Sequence, residues 1–438
     1  MNAGRQAPTA RPRQIAVIGA GWAGLAAAVR LVQQGEQVTL MDMAHQPGGR
    51  ARQLNTPAGA FDNGQHILIG AYHATLDLMR DVGADTNRLL LRRPLCLRYP
   101  DGSGLALSPG HPALALLRAV LAAQGWRWGE RLALLRAAAR WRWQRFECAP
   151  SWTVAQLCQA LPARVRNDLI DPLCVATLNT PAELASASVF LRVLHDALLS
   201  GPGSADLLLP RAGLSALLPD PAWRWLQAAG ATCRTGCRAQ VLARAGSGWT
   251  VDDQPYDAVV LACSATEAAR LTAPHQPGWA AQAAALRYQP IVTAYLADPK
   301  LRLPQPMLAL RSTGPQAPAQ FVFDLGALGH SPGHFAWVAS GAELALAHGL
   351  AACGAQILAQ ARATFQGAFT APDAQVLLHL TAERRATFAC TPGLVRPPAE
   401  IAPGLVAAGD YVAGPYPATL EGAVRAGNAG ALALRRLD

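Results

Sequence analysis

The chain is short of charge, has no long unbroken apolar run and uses lysine hardly at all, and each shortage removes a class of protein. Charged residues make up 15% of it against 51% hydrophobic ones. That balance excludes a disordered chain and points to large buried helices, an apolar substrate cavity or membrane contact. The longest apolar run, from Ile15, is broken by the glycines of a turn and stopped at Arg30, short of the roughly 20 residues of a membrane span. Residues 1–14 are polar, with Pro and Arg and no apolar core, so no secretory signal is expected. The nine cysteines include no C-x-x-C pair, and Cys233 and Cys237 lack the second pair or histidine cluster of a zinc set. No metal is expected, and the thiols suit a reduced cytoplasmic protein. The formal net charge is +10, its excess almost all Arg. No nucleic-acid-binding signature accompanies it, so nucleic acid is not an expected partner, whereas anionic lipid is one candidate. No internal repeat or low-complexity tract stands out, and 438 residues imply two or three sub-domains.

What is present begins at residues 15–18, a short apolar run suited to a buried parallel strand. The turn Gly19-Ala20-Gly21-Trp22-Ala23-Gly24 follows at once, then an Ala- and Leu-rich helix over 25–34, then a second apolar strand over 38–41 ending in Asp42. Strand, glycine turn, helix, strand and acid in this order form a dinucleotide-binding fingerprint. Gly19 permits the tight turn, Gly21 lets backbone approach a pyrophosphate, and Gly24 lets helix and strand pack closely. The helix start, Trp22 and Ala23, offers free N–H groups and a positive dipole end to phosphate. Asp42 is placed to accept hydrogen bonds from a ribose.

The next segment, Pro47-Gly48-Gly49-Arg50-Ala51-Arg52, resembles the GGR element of the flavin amine oxidase and carotenoid desaturase superfamily, which makes FAD the expected cofactor. Gly48 and Gly49 allow close backbone approach, and Arg50 or Arg52 can reach a phosphate or the flavin side. Near the chain end, a strand over 404–408 leads into Gly409-Asp410, and Ala418-Thr419-Leu420-Glu421-Gly422-Ala423 opens a helix running towards Arg436. In the superfamily this Gly-Asp carboxylate holds the ribityl chain, and the helix points its N-terminus, here Thr419 and Leu420, at the flavin pyrimidine edge. A further strand, residues 256–263, follows a hairpin expected over 239–244 and 248–252.

The expected fold class is α/β, α+β overall: a Rossmann-type FAD-binding domain with a helical cap and a sheet-and-helix substrate domain. The divisions read from the pattern are a disordered tail over 1–13, a discontinuous FAD domain of 14–75, 205–275 and 400–438, a helical cap over 76–204, and a β-containing substrate domain over 276–399. Helices are expected over 223–229 and 342–365, and strands over 291–296, 321–325, 335–340 and 376–380.

Two stretches bear on substrate. Residues 126–146 hold six arginines, one acid and four tryptophans, a mixture that suits a membrane interface and equally a solvated helix with Trp packed inward. The peripheral inner face of the cytoplasmic membrane is thus one expected location. Residues 61–72 run Phe-Asp-Asn-Gly-Gln-His before an apolar run; Gln65 and His66 can face the flavin, or Asp62 and Asn63 are plain turn formers and His66 a structural histidine.

That stretch, with 171–181 (DPLCVATLNTP) and 186–196 (SASVFLRVLHD), resembles the squalene-associated FAD-dependent desaturases, the hydroxysqualene dehydroxylases of bacterial hopanoid biosynthesis. The likeness spans the whole folded chain. Asp42 departs from it where many relatives have Glu, and Ala212 where a second glycine is common. The resemblance implies that hydroxysqualene and reduced FAD give squalene, water and oxidised FAD. The allylic hydroxyl needs a proton as it leaves; His66, Asp196 and Asp171 are the candidate donors. The electron donor for the flavin is not visible, since no second G-x-G-x-x-G marks a nicotinamide domain. An oxidative carotenoid or isoprenoid desaturase, a flavin amine oxidase and a non-catalytic FAD-bearing scaffold are the competing readings.

Overall fold

The computed structural model of the protein describes residues 11–435. Most of the expected tail therefore lies outside the described residues. Arg13, its last member, is anchored: its guanidinium meets Glu36 at 2.6 Å and donates to the Leu434 carbonyl at 2.8 Å.

A six-stranded sheet draws its strands from three separated stretches, in the order Thr232–Arg234, Gln37–Met41, Gln14–Ile18, Ala258–Leu261, Leu405–Ala407 and Glu400–Ala402. The first five run parallel and the last antiparallel. Its central strands are near-continuous apolar runs because both faces are covered. Ile15, Val17, Leu40 and Val260 pack under the helices Trp22–Gln33 and Leu420–Arg435, while Ala16, Ile18, Val259 and Leu261 face Trp249, Val251 and Ala268 on the other side. The two helices cross closely: a Cβ on Gly427 would stand 2.2 Å from the Ala23 carbonyl. The expected hairpin is a three-stranded meander, Leu242–Ala245, Gly248–Val251 and Gln254–Tyr256, because Asp252 and Asp253 take positive φ and turn the chain again.

A second sheet is antiparallel, ordered Met307–Ala309, Phe321–Asp324, His334–Ser340, Tyr288–Ala297 and Leu377–Phe388. Alternation divides its faces. Val292, Ala294, Leu296 and Trp337 pack on the helix Leu350–Thr364, whereas Tyr295, Phe321 and Phe323 join the core shared with the helical segment. That helix starts later than the pattern 342–365 implies. Gly349 sits at φ +93°, outside helical conformation, and turns occupy the residues before it.

Between the sheets' contributions lie the helices Pro112–Leu121, Trp128–Trp143, Asp171–Leu178 and Ala187–Leu199. This stretch is less purely helical than its Ala/Leu/Arg periodicity implies, since Leu90–Arg93 pairs with Leu207–Pro210 and Cys96–Arg98 with Gly104–Ala106. The helix expected over 223–229 begins earlier, at Pro219–Ala228, with Pro219 suited to its first turn. No helix among the described residues is long and apolar enough to cross a membrane.

Candidate active site

Two glycine loops meet at the carboxyl end of the first strand. Gly48 donates to the Ala20 carbonyl at 2.8 Å, and Gly21 and Gly48 form a parallel bridge, so the GGR element is stitched to the first turn. Gly19 has φ +108°, and a Cβ there would lie 2.6 Å from the Ala262 carbonyl; one on Gly24 would meet the Gly19 oxygen at 1.8 Å. Gly21 differs, since a Cβ there would find only the Gly49 Cα, at 3.8 Å. The protein itself does not crowd that point. Gly21 caps the helix Trp22–Gln33 without a side-chain bond, so no cap side chain competes with an anion for the N–H groups of the first turn. The Trp22 ring is structural, its Nε1 donating to Ala51 at 3.0 Å and bracing the second loop.

Asp42 bends back into the turn, accepting from Ala20 N at 2.6 Å and Ala44 N at 2.7 Å. Each carboxylate oxygen keeps a second lone pair for a ribose hydroxyl. Arg50, for which the sequence left two roles open, bonds Asp410 at 2.6 Å and the Ala386 carbonyl at 2.7 Å. It therefore ties the GGR loop to the Gly409-Asp410 corner and to the second sheet. Burial works against the Arg50 charge, and Asp410, with Tyr288 and Glu383, more than restores it.

From Asp410 the chain enters a strained loop. Tyr416 and Ala418 take positive φ, 58° and 57°, a conformation L-residues adopt at a cost of order 1 kcal/mol. Thr419 then caps the last helix: its hydroxyl accepts from Gly422 N at 2.9 Å and donates to the Tyr416 carbonyl at 2.8 Å. Leu420 opens that helix. Glu421, fully buried, accepts from Ala74 N, Thr75 N and Thr75 Oγ1 at 2.8 to 3.1 Å and pairs with Arg425 at 2.7 Å. It caps the helix His73–Asp81 from across the interface, a role the sequence pattern did not signal.

The polar stretch 61–66 lies where the two sheets meet. Asn63 donates to the Arg50 carbonyl and to Glu383, both at 3.1 Å. Tyr295 donates to the Asp62 carbonyl at 2.8 Å. Nδ1 of His66 stands 2.8 Å from the Gly64 carbonyl; a carbonyl can only accept, so Nδ1 carries the proton and Nε2 presents a lone pair. Burial holds His66 below its ordinary pKa and the Arg50 charge adds to this, the Gly64 bond opposing them. His66 is thus a neutral acceptor and a poor proton donor. Gln65, beside it, is half-buried.

An acid that the sequence reading took as a turn former is Asp62. Burial raises its pKa to about 7, against the opposing Leu214 N–H. That N–H fixes Oδ1 at 2.8 Å, leaving the other oxygen to hold the proton. The signal in the sequence was an acid placed directly after Phe61, a core residue, but its turn-forming neighbours gave it a simpler explanation.

The other two candidates stand elsewhere. Burial alone would raise the pKa of Asp196, yet Arg192, His195 and Tyr416 donate into it and bring it below the ordinary value. It holds charge rather than a proton, and braces the strained loop through Tyr416. Asp171 is raised by burial, and lies among Glu183, Arg166, Cys158 and Cys174 rather than at the junction. The end of its helix serves as an anchor. Asn179, at φ +47°, bonds Gln289, Thr387 and Gly341, pinning the helical segment to the second sheet.

These residues fit FAD. The uncrowded backbone at Gly21 and the uncapped helix suit a pyrophosphate. Farther along, the hydroxyls of Thr293 (1% exposed) and Tyr411 (3% exposed) have no partner among the described residues, which is costly unless a ligand supplies one. Among the described residues no cluster of His, Cys, Asp and Glu could hold a metal.

Comparison with known proteins agrees. The family model for flavin containing amine oxidoreductases matches residues 22–434. A hydroxysqualene dehydroxylase of Rhodopseudomonas palustris is 29% identical, covering 95% of this chain and 97% of the relative. One of Sinorhizobium fredii is 27% identical with the same coverage. A hydroxyneurosporene desaturase of Cereibacter sphaeroides is 38% identical, but over 22% of this chain. Among solved structures, an oxidoreductase of Methanosarcina mazei has a TM-score of 0.72 at 16% identity, covering 97% of this chain and all of that one. At these identities the structural likeness speaks to fold.

Proposed function

The chain belongs to the family of flavin-containing amine oxidoreductases and is an FAD-dependent enzyme, and on that footing we propose that it reductively removes the allylic hydroxyl of hydroxysqualene, giving squalene and water in hopanoid formation. The observation that carries this reading is the likeness to two relatives of that name along 95% of the chain. When bound, reduced FAD supplies the hydride that replaces the departing oxygen.

The chain's own residues supply the rest. Asp62 donates a proton to the hydroxyl as the C–O bond breaks, so the oxygen leaves as water rather than hydroxide. The Leu214 N–H, already bonded to one Asp62 oxygen, stabilises the carboxylate left behind. His66, neutral, accepts a hydrogen bond through Nε2 and orients the leaving group. Asp196 holds Tyr416, and with it the loop before the last helix, in its strained conformation. Asp171 has a supporting place in the helical segment. Trp22, Ala23, Asp42 and the glycine loops would hold the dinucleotide, and Gln65, Asp410, Thr419 and Leu420 would serve the flavin end.

The test is anaerobic. The purified enzyme is reduced chemically, mixed with hydroxysqualene, and followed by flavin absorbance and mass analysis of the lipid. Squalene formed in step with flavin oxidation is the expected result. Flavin that stays reduced beside intact hydroxysqualene would sink the proposal and favour the desaturase reading.

A further inference from the structure

The helices Pro112–Leu121 and Trp128–Trp143 expose apolar residues where helices ordinarily expose polar ones. At roughly 100° per residue, Leu114, Leu117 and Leu121 share one narrow stripe of the first helix, and all three are exposed. On the second, Trp128, Leu132 and Trp143 share another, with the two tryptophans 71% and 83% exposed. The same geometry sets Arg142 on one side of that stripe and Arg136 and Arg140 on the other. Trp126 and Trp141 pack inward, so the inward reading of the tryptophans holds for half of them. The two stripes adjoin: Arg131 donates to the Leu121 carbonyl at 2.6 Å and to Ala123 at 2.8 Å while its guanidinium lies 4.8 Å over the Trp128 ring.

Around this apolar strip Arg118, Arg127, Arg136, Arg140, Arg142 and Arg145 are exposed, and none forms an ion pair among the described residues. Residues 112–147 contain two acids, Glu130 and Glu147, and Glu130 is occupied in capping Arg127 N at 2.6 Å. A second protein copy would have to bury six unpaired guanidinium groups. An anionic bilayer neutralises them with phosphate and receives Trp and Leu at headgroup depth.

We propose that this two-helix face docks the enzyme on an anionic lipid bilayer, with Leu114, Leu117, Leu121, Trp128, Leu132 and Trp143 inserted and the flanking arginines on headgroup phosphates. The inference stands whichever isoprenoid the enzyme acts on.

Flotation of the FAD-loaded enzyme with vesicles tests it. Binding to phosphatidylcholine vesicles containing phosphatidylglycerol, little binding to phosphatidylcholine alone, and weakening with salt are expected. The double variant Trp128→Gln/Trp143→Gln should lose at least tenfold in partitioning, and Arg136→Gln/Arg140→Gln about tenfold or more on anionic vesicles. Both keep their flavin spectrum, since these side chains are exposed. Equal binding to neutral and anionic vesicles, or unchanged partitioning of the tryptophan variant, overturns the proposal. So does a dimer in sedimentation that the tryptophan variant converts to monomer, which would show that a second copy covers the face.

Discussion

Asp62 and His66 stand four positions apart, and their surroundings push their proton affinities in opposite directions. A histidine titrates near neutrality in water, which makes it the natural first choice for a donor. Burial reverses the order here, lowering the histidine and raising the aspartate to about 7. With Asp62 as the proposed proton donor, flavin reoxidation by substrate should be fast below about pH 7 and fall above it. Asp62→Asn should lower that rate by about 10²- to 10⁴-fold and abolish the alkaline fall, as measured by stopped-flow across pH 5.5 to 9. Stability follows the same group. Between its unfolded value near 4 and its folded value near 7, Asp62 is protonated only in the native state, so stability declines as pH rises through that window, by about 3–4 kcal/mol in all. Asp62→Asn lacks the decline, and its melting temperature relative to wild type should climb from pH 5 to pH 8. The sequence shows an aspartate directly after Phe61; it does not show that Leu214, some 150 residues later, donates to it.

The last helix illustrates what periodicity can and cannot convey. Its existence and its start near Leu420 follow from apolar spacing and small residues. That Glu421, in its first turn, turns inward to cap the helix His73–Asp81 does not, because a cap donated from a distant segment leaves no mark on the capped helix's own sequence. Tyr72, its N-cap, makes no side-chain cap bond. Glu421→Gln should cost about 2–4 kcal/mol, since Arg425 and the N–H groups of Ala74 and Thr75 lose a buried charged acceptor. Urea unfolding measures this, and Thr75→Val should lose less. The glycine turn, by contrast, was legible down to single residues, because Gly19, Gly21 and Gly24 each answer a local geometric demand.

Across the whole protein, the dinucleotide cradle bridges segments far apart in sequence. Arg50, Asp410 and the strand Leu377–Phe388 meet around it. A ligand there binds only the assembled protein, so FAD at 100 times its Kd should add about 2.7 kcal/mol and raise the melting temperature by several degrees, with stripping of the flavin lowering it. Differential scanning fluorimetry reads both. Fold class and the discontinuous make-up of the main sheet were legible because glycine turns and apolar strands have fixed signatures. The packing of the helical segment was not, since Asn179 reaches Gln289, Thr387 and Gly341, and Asp196 reaches Tyr416, on distant parts of the chain.

The order of strands in the main sheet also sets a timetable for the chain at birth. Gln14–Ile18 emerges early, yet its neighbour Ala258–Leu261 comes some 240 residues later, and Leu405–Ala407 beyond that. At about 5–20 residues per second, roughly 20 to 80 s separate the first strand from the last. Through that interval an apolar strand and an Ala-rich helix wait with one flank of the sheet unbuilt. Nascent chains stalled before residue 400 should therefore hold no FAD and engage holding chaperones, and the cofactor should be captured only as synthesis ends.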